Sequence, residues 1–340
     1  MGRVKNLKSL DRAGLEAFFR QEGLPAFRAR QAIHWIYEKN VRDISEITEF
    51  AKPLRDSLSQ KAYISNLALK ERQVSADGTE KYLFGLEDGN SIESVLIPDE
   101  KRLTLCVSSQ VGCALSCRFC LTGKLGMIRD LRAHEIVDQY LSARRLAAPR
   151  KITNMVFMGM GEPLNNLENV ASALKRLTEL AHFSRRRITV STSGIAPKIL
   201  ELPERAPLVN LAVSLNASTD EVRDRIMPIN RRYNLEALFE ALRRFPLPPR
   251  SRITFEYVML SGVNDTDADA RRAAALLRGI PSKINLIPFN EHEGSIFRTP
   301  SDKRALAFRK ILTDAGYTAI IRKSKGRDIL AACGQLKAKY

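Results

Sequence analysis

Beyond Cys120 the chain alternates between strand-like and helix-like stretches, and that alternation limits its possible folds more than any other feature. ITNMVFM, RRITVST, VNLAVSL, RITFEYVM and KINLIPF are short, apolar and rich in β-branched residues. Helical periodicities fill the gaps, as in 166–181, 233–244 and 266–279. A strand–helix–strand rhythm predicts a parallel sheet with helices outside it, curled into a full or partial barrel. The first 70 residues read as helical instead. Asp11 can cap a helix with Leu15, Phe18 and Phe19 on one face, and a second helix runs from about Phe27 to Lys39. Short helical pieces follow around Ile47 and Leu58. KYLFGL, SIESVLI and RLTLCVS then alternate like strands, the first two separated by the turn Asp88-Gly89-Asn90. Four segments result: a helical accessory domain over 1–75, a strand-rich connection over 76–100, a barrel core over 101–322 and a tail over 323–340. Pro246, Pro248 and Pro249 mark a surface turn rather than a linker, and no internal repeat is present.

Three of the five cysteines fall within eight residues, as Cys113, Cys117 and Cys120 in GCALSCRFC. A structural zinc would want a fourth Cys or His close by, and none lies within ten residues after Cys120. Three thiolates on one tight loop suit a cubic 4Fe–4S cluster that leaves one iron open to a small molecule. This spacing resembles that of radical S-adenosylmethionine (SAM) enzymes, in which the open iron chelates the amino and carboxylate groups of SAM. Polar strand ends follow the cluster loop in register: Gly161 and Glu162 after ITNMVFM, Ser191-Thr192-Ser193-Gly194 at the end of RRITVST, Ser214-Leu215-Asn216 at the end of VNLAVSL, and Asn290 after KINLIPF. In barrels of this kind the chemistry gathers at the C-terminal ends of strands, so these residues are candidates for a SAM pocket. Glycine allows close backbone approach, and the Glu162 carboxylate can accept hydrogen bonds from an ammonium group.

Charge points to the partner. The formal net charge is +17, yet residues 1–90 hold 15 Lys/Arg against 13 Asp/Glu, so the excess belongs to the rest of the chain. Such a field attracts a polyanion, because neutralised phosphates release condensed counterions. Arg185–Arg187, Arg243 with Arg244, and the run Arg322, Lys323, Lys325, Arg327 just before Cys333 are the candidate phosphate contacts. The apolar runs are far too short to span a membrane, and the N-terminus shows no apolar secretory core. An odd cysteine count and iron–sulfur chemistry argue for a reducing, cytoplasmic setting. A monomer is the default expectation.

Three long strings narrow the resemblance. TLCVSSQVGCALSCRFC, MGMGEPLNN and SKGRDILAACGQL, with the RQAIHWIY helix, make the chain similar to the RlmN/Cfr family of radical SAM RNA methyltransferases over nearly its whole length. The resemblance implies a partial (β/α)6 barrel behind a small helical N-terminal domain. It also implies methylation of adenine C2 in 23S rRNA, and of an adenine beside the anticodon in tRNA. Two SAM molecules would be consumed per turnover, with electrons from a donor such as flavodoxin with its reductase, or ferredoxin. C2 of adenine is electrophilic and cannot attack a SAM methyl group, so a carrier is needed. By similarity Cys333 is that carrier, as an S-methylcysteine whose methyl group a 5′-deoxyadenosyl radical can activate. Cys106 matches the resolving thiol that frees the RNA by forming a disulfide. Glu93 matches the proton acceptor, and Met158 a position near the substrate.

One departure stands out. The family commonly carries Ser-Leu-His where this chain has Ser214-Leu215-Asn216, so no imidazole role transfers there. His34, His134, His182 and His292 fall on no motif. Two other readings share these features: methylation at C8 of the same adenine, and a non-catalytic iron–sulfur protein that binds RNA.

Overall fold

The computed structural model describes residues 4–337. Asp11 caps the Arg12–Gln21 helix by accepting the Gly14 N–H, and the helix buries Leu15 and Phe19. The next helix, Ala26–Ile33, runs on as a π-helical turn over His34–Lys39 and stops at Asn40 in the left-handed conformation. A third helix spans Lys52–Ser59. The helical reading of this region fails in two places: Lys5–Asn6 pairs in parallel with Ala62–Tyr63, and Ala68–Val74 is a strand. The first two segments are only two residues long, and Ala68–Val74 is mostly polar and exposed, so no apolar alternation marked them.

That strand is one edge of a ten-stranded sheet. Seven parallel strands follow one another in it: Arg102–Cys106, Asn154–Phe157, Ile188–Thr192, Asn210–Ser214, Ile253–Met259, Ser282–Pro288 and Thr318–Ile321. The antiparallel strands Ser91–Asp99, Glu80–Gly85 and Ala68–Val74 extend it beyond Arg102–Cys106. Helices connect the parallel strands, beginning with Ala133–Ala147 and Leu167–Glu179 and ending with Asp302–Asp314 before the last strand. This is the mixed α/β architecture expected, with a seventh parallel strand that the sequence pattern did not reveal.

Alternation along the parallel strands separates two environments. Leu103, Leu105, Met155, Phe157, Ile188, Val190, Ile253, Phe255, Ile284 and Leu286 are buried in the core. Their neighbours Thr104, Cys106, Thr189, Thr254, Glu256, Lys283 and Asn285 line an interior space instead. The lumen is therefore lined by polar groups set among apolar side chains such as Ile97, Val156, Met158 and Ile287, and is not filled by aliphatic layers.

The C-terminal tail crosses this lumen. It leaves the last strand after Arg322 and is anchored on the antiparallel side, where Asp328 accepts from Ser75 Oγ at 2.6 Å and from the Ala76 N–H at 3.1 Å. It then returns to the loop after Cys120. The Leu121 N–H donates to Gly334 O at 2.8 Å, and Thr122 Oγ1 donates to Leu336 O at 2.8 Å.

The N-terminal region docks on the Ala133–Ala147 helix. Lys8 Nζ donates to Asp138 Oδ1 at 2.6 Å and to Ser65 O at 2.7 Å, while Ser65 Oγ donates to Asp138 Oδ2 at 2.8 Å. Burial pulls the Lys8 ammonium below its ordinary pKa, against the opposing pull of Asp138. Removing one partner of such a pair strands the other charge. Asp138→Ala is expected to cost about 3–5 kcal/mol, read as a lower denaturant midpoint. Asp314→Ala, which breaks the exposed Lys310 pair, should hardly move that midpoint.

Candidate active site

The cluster loop begins where the first parallel strand ends. Gln110–Gly112 pairs with Met127–Asp130, and the Cys113 N–H donates to Gly126 O at 2.7 Å. Gly112 has φ +82°, and a Cβ there would lie 2.0 Å from Gly126 O, so only glycine fits the crossing. The Cys120 N–H donates to Cys117 O at 3.1 Å, which folds the two cysteines into one turn.

Cys113, Cys117 and Cys120 line a cavity of about 170 Å³ at the C-terminal ends of the parallel strands. No group of three or more His, Cys, Asp or Glu side chains among the described residues converges tightly enough to hold a single metal ion. A lone zinc needs that convergence. An iron–sulfur cube does not, because each thiolate binds a different iron atom. Three thiols lining one cavity are the donor chemistry of an iron–sulfur cube.

Most of the anticipated SAM residues share this cavity. Gly161, Glu162, Ser191, Ser214, Asn216 and Asn290 all line it, as does Met158. Leu215 does not: it is buried in the apolar core, on the opposite face of its strand end from Ser214. Thr192 and Ser193, from the same strand end as Ser191, also line the cavity, and so do Met227 and Val258, which were not anticipated.

Glu162 is already engaged. Oε2 accepts from the Ser193 N–H and Oγ, both at 2.8 Å, and Oε1 accepts from the Leu164 N–H at 3.0 Å. Burial raises its pKa against these hydrogen bonds. The carboxylate thus joins two strand ends across the cavity floor. Asn216 has φ +55°, a left-handed conformation that asparagine tolerates. Its Oδ1 accepts from the Val258 N–H at 2.7 Å, so the side chain that replaces the usual histidine secures the next strand. Asn290 is split in function: Nδ2 donates to Cys333 O at 3.3 Å, and Oδ1 is buried with no partner among the described residues.

Arg223 lies beneath this floor, completely buried. It donates to Ser193 O, Ser214 O and Leu215 O and to Asn230 Oδ1, with the bond to Ser193 O at 2.5 Å. Burial lowers its pKa to about 10, partly offset by Cys117 and nearby aspartates. A lone arginine between two strand ends carried no sequence signal, because its partners are backbone carbonyls from distant segments.

A second cavity of about 290 Å³ runs into the lumen and shares Met158, Gly159, Cys120, Glu256, Asn290 and Cys333 with the first. Cys106 lines it, with Arg102, Lys283, Arg322, Lys323 and Lys325. Cys333 therefore stands where the two spaces meet. Its exposed surface faces these cavities, and the thiol itself is deep among protein atoms. Burial, then the Glu256 charge, pushes its pKa to about 11, against the pull of Arg322. Burial and the neighbouring Cys333 push Cys106 to about 12.

Glu93 is nearby but separate. It lines a groove of about 660 Å³ with Lys81, Gln335 and Lys337, and the tail lies between that groove and the second cavity. Lys81 Nζ is 3.3 Å from Oε1, and the Lys337 N–H donates to Oε2 at 2.7 Å. Burial raises the carboxyl pKa, with Lys81 opposing it. Ser108 Oγ donates to Glu93 O at 2.6 Å and so ties this strand to the one bearing Cys106.

A three-cysteine loop facing a cavity at the strand ends of a mixed α/β sheet is the arrangement of a radical SAM enzyme. The Radical SAM superfamily model matches residues 107–274, and the ribosomal RNA large subunit methyltransferase N-terminal domain model matches 5–64. The chain belongs to the RlmN family. It is 55% identical to the Dual-specificity RNA methyltransferase RlmN of Pelobacter propionicus, over 98% of this chain and 96% of the relative. The protein of the same name from Geobacter sulfurreducens is 53% identical over 100% and 94%. A solved radical SAM methyltransferase from Sphaerobacter thermophilus superposes with a TM-score of 0.94 at 44% identity, covering 98% of this chain and all of its own.

Gly161 offers a direct test of the cavity floor. It has φ +97°, and an added Cβ would sit 2.5 Å from Gln110 Cβ. Gly161→Ala is expected to cost about 1–3 kcal/mol and to weaken SAM binding, measured by thermal unfolding and equilibrium titration. Gly279→Ala, strained at φ +81° but facing open space, should lower stability less and leave SAM binding unchanged.

Proposed function

We propose that this RNA methyltransferase places a methyl group on C2 of an adenine in 23S rRNA, and of an adenine beside the anticodon in tRNA, by way of Cys333. The observation that carries the reading is the position of Cys333, at the junction of the cavity lined by Cys113, Cys117 and Cys120 and the cavity lined by Cys106. A carrier thiol needs that position, because it must first meet SAM and then meet the base.

Cys113, Cys117 and Cys120 would hold the 4Fe–4S cluster, and the strand-end residues from Gly161 to Asn290 would hold SAM. Once bound, the cluster would supply the electron that cleaves SAM to methionine and a 5′-deoxyadenosyl radical. That radical would remove a hydrogen atom from the Cys333 S-methyl group, giving 5′-deoxyadenosine, and the resulting methylene radical would add to C2, joining RNA to protein through sulfur. Once the adduct has returned the one electron supplied and lost the C2 proton, Cys106 would give up its own proton and attack the Cys333 sulfur. The C–S bond breaks with its electron pair left on the former methyl carbon, which takes a proton, and a Cys106–Cys333 disulfide forms. The raised pKa values of both thiols keep them protonated until each is used. Glu93 takes the C2 proton, and Gln335 to Lys337 must yield for it to reach the base, because the Lys337 N–H now occupies one carboxylate oxygen. Arg322, Lys323 and Lys325 at the mouth of the second cavity would contact the RNA backbone. Flavodoxin with its reductase, or ferredoxin, would supply electrons to a monomer in the cytoplasm.

C2 rather than C8 is favoured by the match of residues 5–64 to the ribosomal RNA large subunit methyltransferase N-terminal domain and by the full-length likeness to proteins named RlmN. Anaerobic turnover on defined RNA fragments, followed by nucleoside mass spectrometry against authentic standards, should give 2-methyladenosine. An 8-methyl product would overturn the assignment, and absence of 5′-deoxyadenosine would leave only an RNA-binding protein. Cys333→Ala should abolish methyl transfer with the cluster absorbance intact. Cys106→Ala should trap an RNA-linked protein band that nuclease trims; free turnover by that variant would remove Cys106 from the mechanism.

Glu93 makes a separate prediction. It must be deprotonated to act, so single-turnover release should fall about tenfold per pH unit below its pKa, which lies above the ordinary glutamate value of 4.5. Glu93→Gln should lose that acidic limb; a limb unchanged in the variant assigns it to another group.

A further inference from the structure

The carrier thiol needs a partner to take its proton, and the lumen contains one carboxylate suited to that task. Glu256 lies on the strand Ile253–Met259 and is only 8% exposed. It lines both cavities, as Cys333 does. Oε1 accepts from Asn285 Nδ2 at 2.9 Å, across the register pair Glu256–Asn285. Among the described residues no donor is bonded to Oε2. Glu162, the other carboxylate in the first cavity, has both oxygens engaged by backbone and Ser193. Asp99 lines only the second cavity.

We propose that Glu256 is the general base that accepts the Cys333 proton when that thiol takes a methyl group from SAM. The proposal rests on the reading of Cys333 as the carrier. The Cys333 S–H bond breaks and its proton passes to the Glu256 carboxylate. The freed sulfur electron pair forms the S–CH3 bond as the SAM methyl–sulfonium bond breaks. The electrons of that bond stay on the departing sulfur, giving S-adenosylhomocysteine. Negative carboxylate and positive sulfonium enter, and neutral acid, thioether groups and product leave, so no charge is left buried.

The surroundings agree with this role. Cys333 is raised by burial and next by the Glu256 charge, so at neutral pH it holds a proton that must go somewhere. Burial raises Glu256 as well, bringing its basicity nearer to the working range, while Asn285, Arg322 and Lys283 keep the ionised form accessible. Asn285 holds one oxygen, and among the described residues the other has no bonded donor.

The test isolates methylation of the protein from the chemistry on RNA. Iron-free protein, verified by mass to carry a free Cys333 thiol, is reconstituted anaerobically and given SAM with a trideuterated methyl group and no RNA. The label on the Cys333 peptide is followed by mass spectrometry. Wild type should label Cys333, and Glu256→Gln should do so about 10²-fold more slowly with iron content and SAM affinity unchanged. Glu256→Asp should recover part of the rate. Labelling of Glu256→Gln at the wild-type rate overturns the proposal. A weaker SAM affinity with an unchanged rate at saturation also overturns it, and makes Glu256 a SAM-binding residue. Wild type that never labels Cys333 refutes the carrier reading and the Glu256 role together, which separates that failure from a failure of Glu256 alone.

Discussion

Two hydrogen bonds between the ends of the catalytic region govern the rest of the site: the Leu121 N–H to Gly334 O and Thr122 Oγ1 to Leu336 O, each 2.8 Å. They join the turn after Cys120 to a tail more than 200 residues away in sequence. Seven parallel strands leave the lumen accessible, and the tail is what lies across it. Without those bonds the tail would be held by Asp328, Asn290 and the Lys337 N–H contact to Glu93, and Cys333 would be less firmly placed relative to either cavity. Asn290 strengthens the same arrangement from the end of a barrel strand by holding the Cys333 carbonyl.

The buried polar groups around the lumen must be satisfied, and the chain does this mainly with backbone. Glu162 accepts from three donors in two segments, and Arg223 is ringed by carbonyls and Asn230 rather than by a carboxylate. Such networks are costly to leave half-made, so they hold the strand ends in one geometry. Burial also keeps the Cys106 and Cys333 thiols from ionising early, which ties their reactivity to the partners beside them. On the outside, the Lys8–Asp138 pair fastens the N-terminal helices to the Ala133–Ala147 helix by the same logic.

Local pattern made much of this readable. Each of the five stretches expected after Cys120 holds a parallel strand, with an offset of one residue at Ser282, and Asp11 caps its helix, because strand alternation and capping depend on neighbours in sequence. The Ala133–Ala147 helix was not anticipated: it is buried between the sheet and the N-terminal region, so it lacks the one-sided apolar stripe of a surface helix. Thr318–Ile321, partly exposed at the sheet edge, is too short to stand out. Arg223 and Glu256 were invisible as single polar residues whose meaning comes from distant partners. Leu215 was grouped with its neighbours Ser214 and Asn216, although the pleat turns it into the core.

The amino-acid sequence alone determined the barrel's strand order of appearance, the three-thiol loop and the family, since these are written in spacing and in contiguous strings. Folding decided where Cys333 stands, that Glu93 lies across the tail from the cavities, and that Glu256 shares a space with the carrier thiol. The physical reason is range: spacing along a chain encodes contacts a few residues apart, whereas a site assembled from strand ends and a returning tail exists only once hundreds of intervening residues have packed.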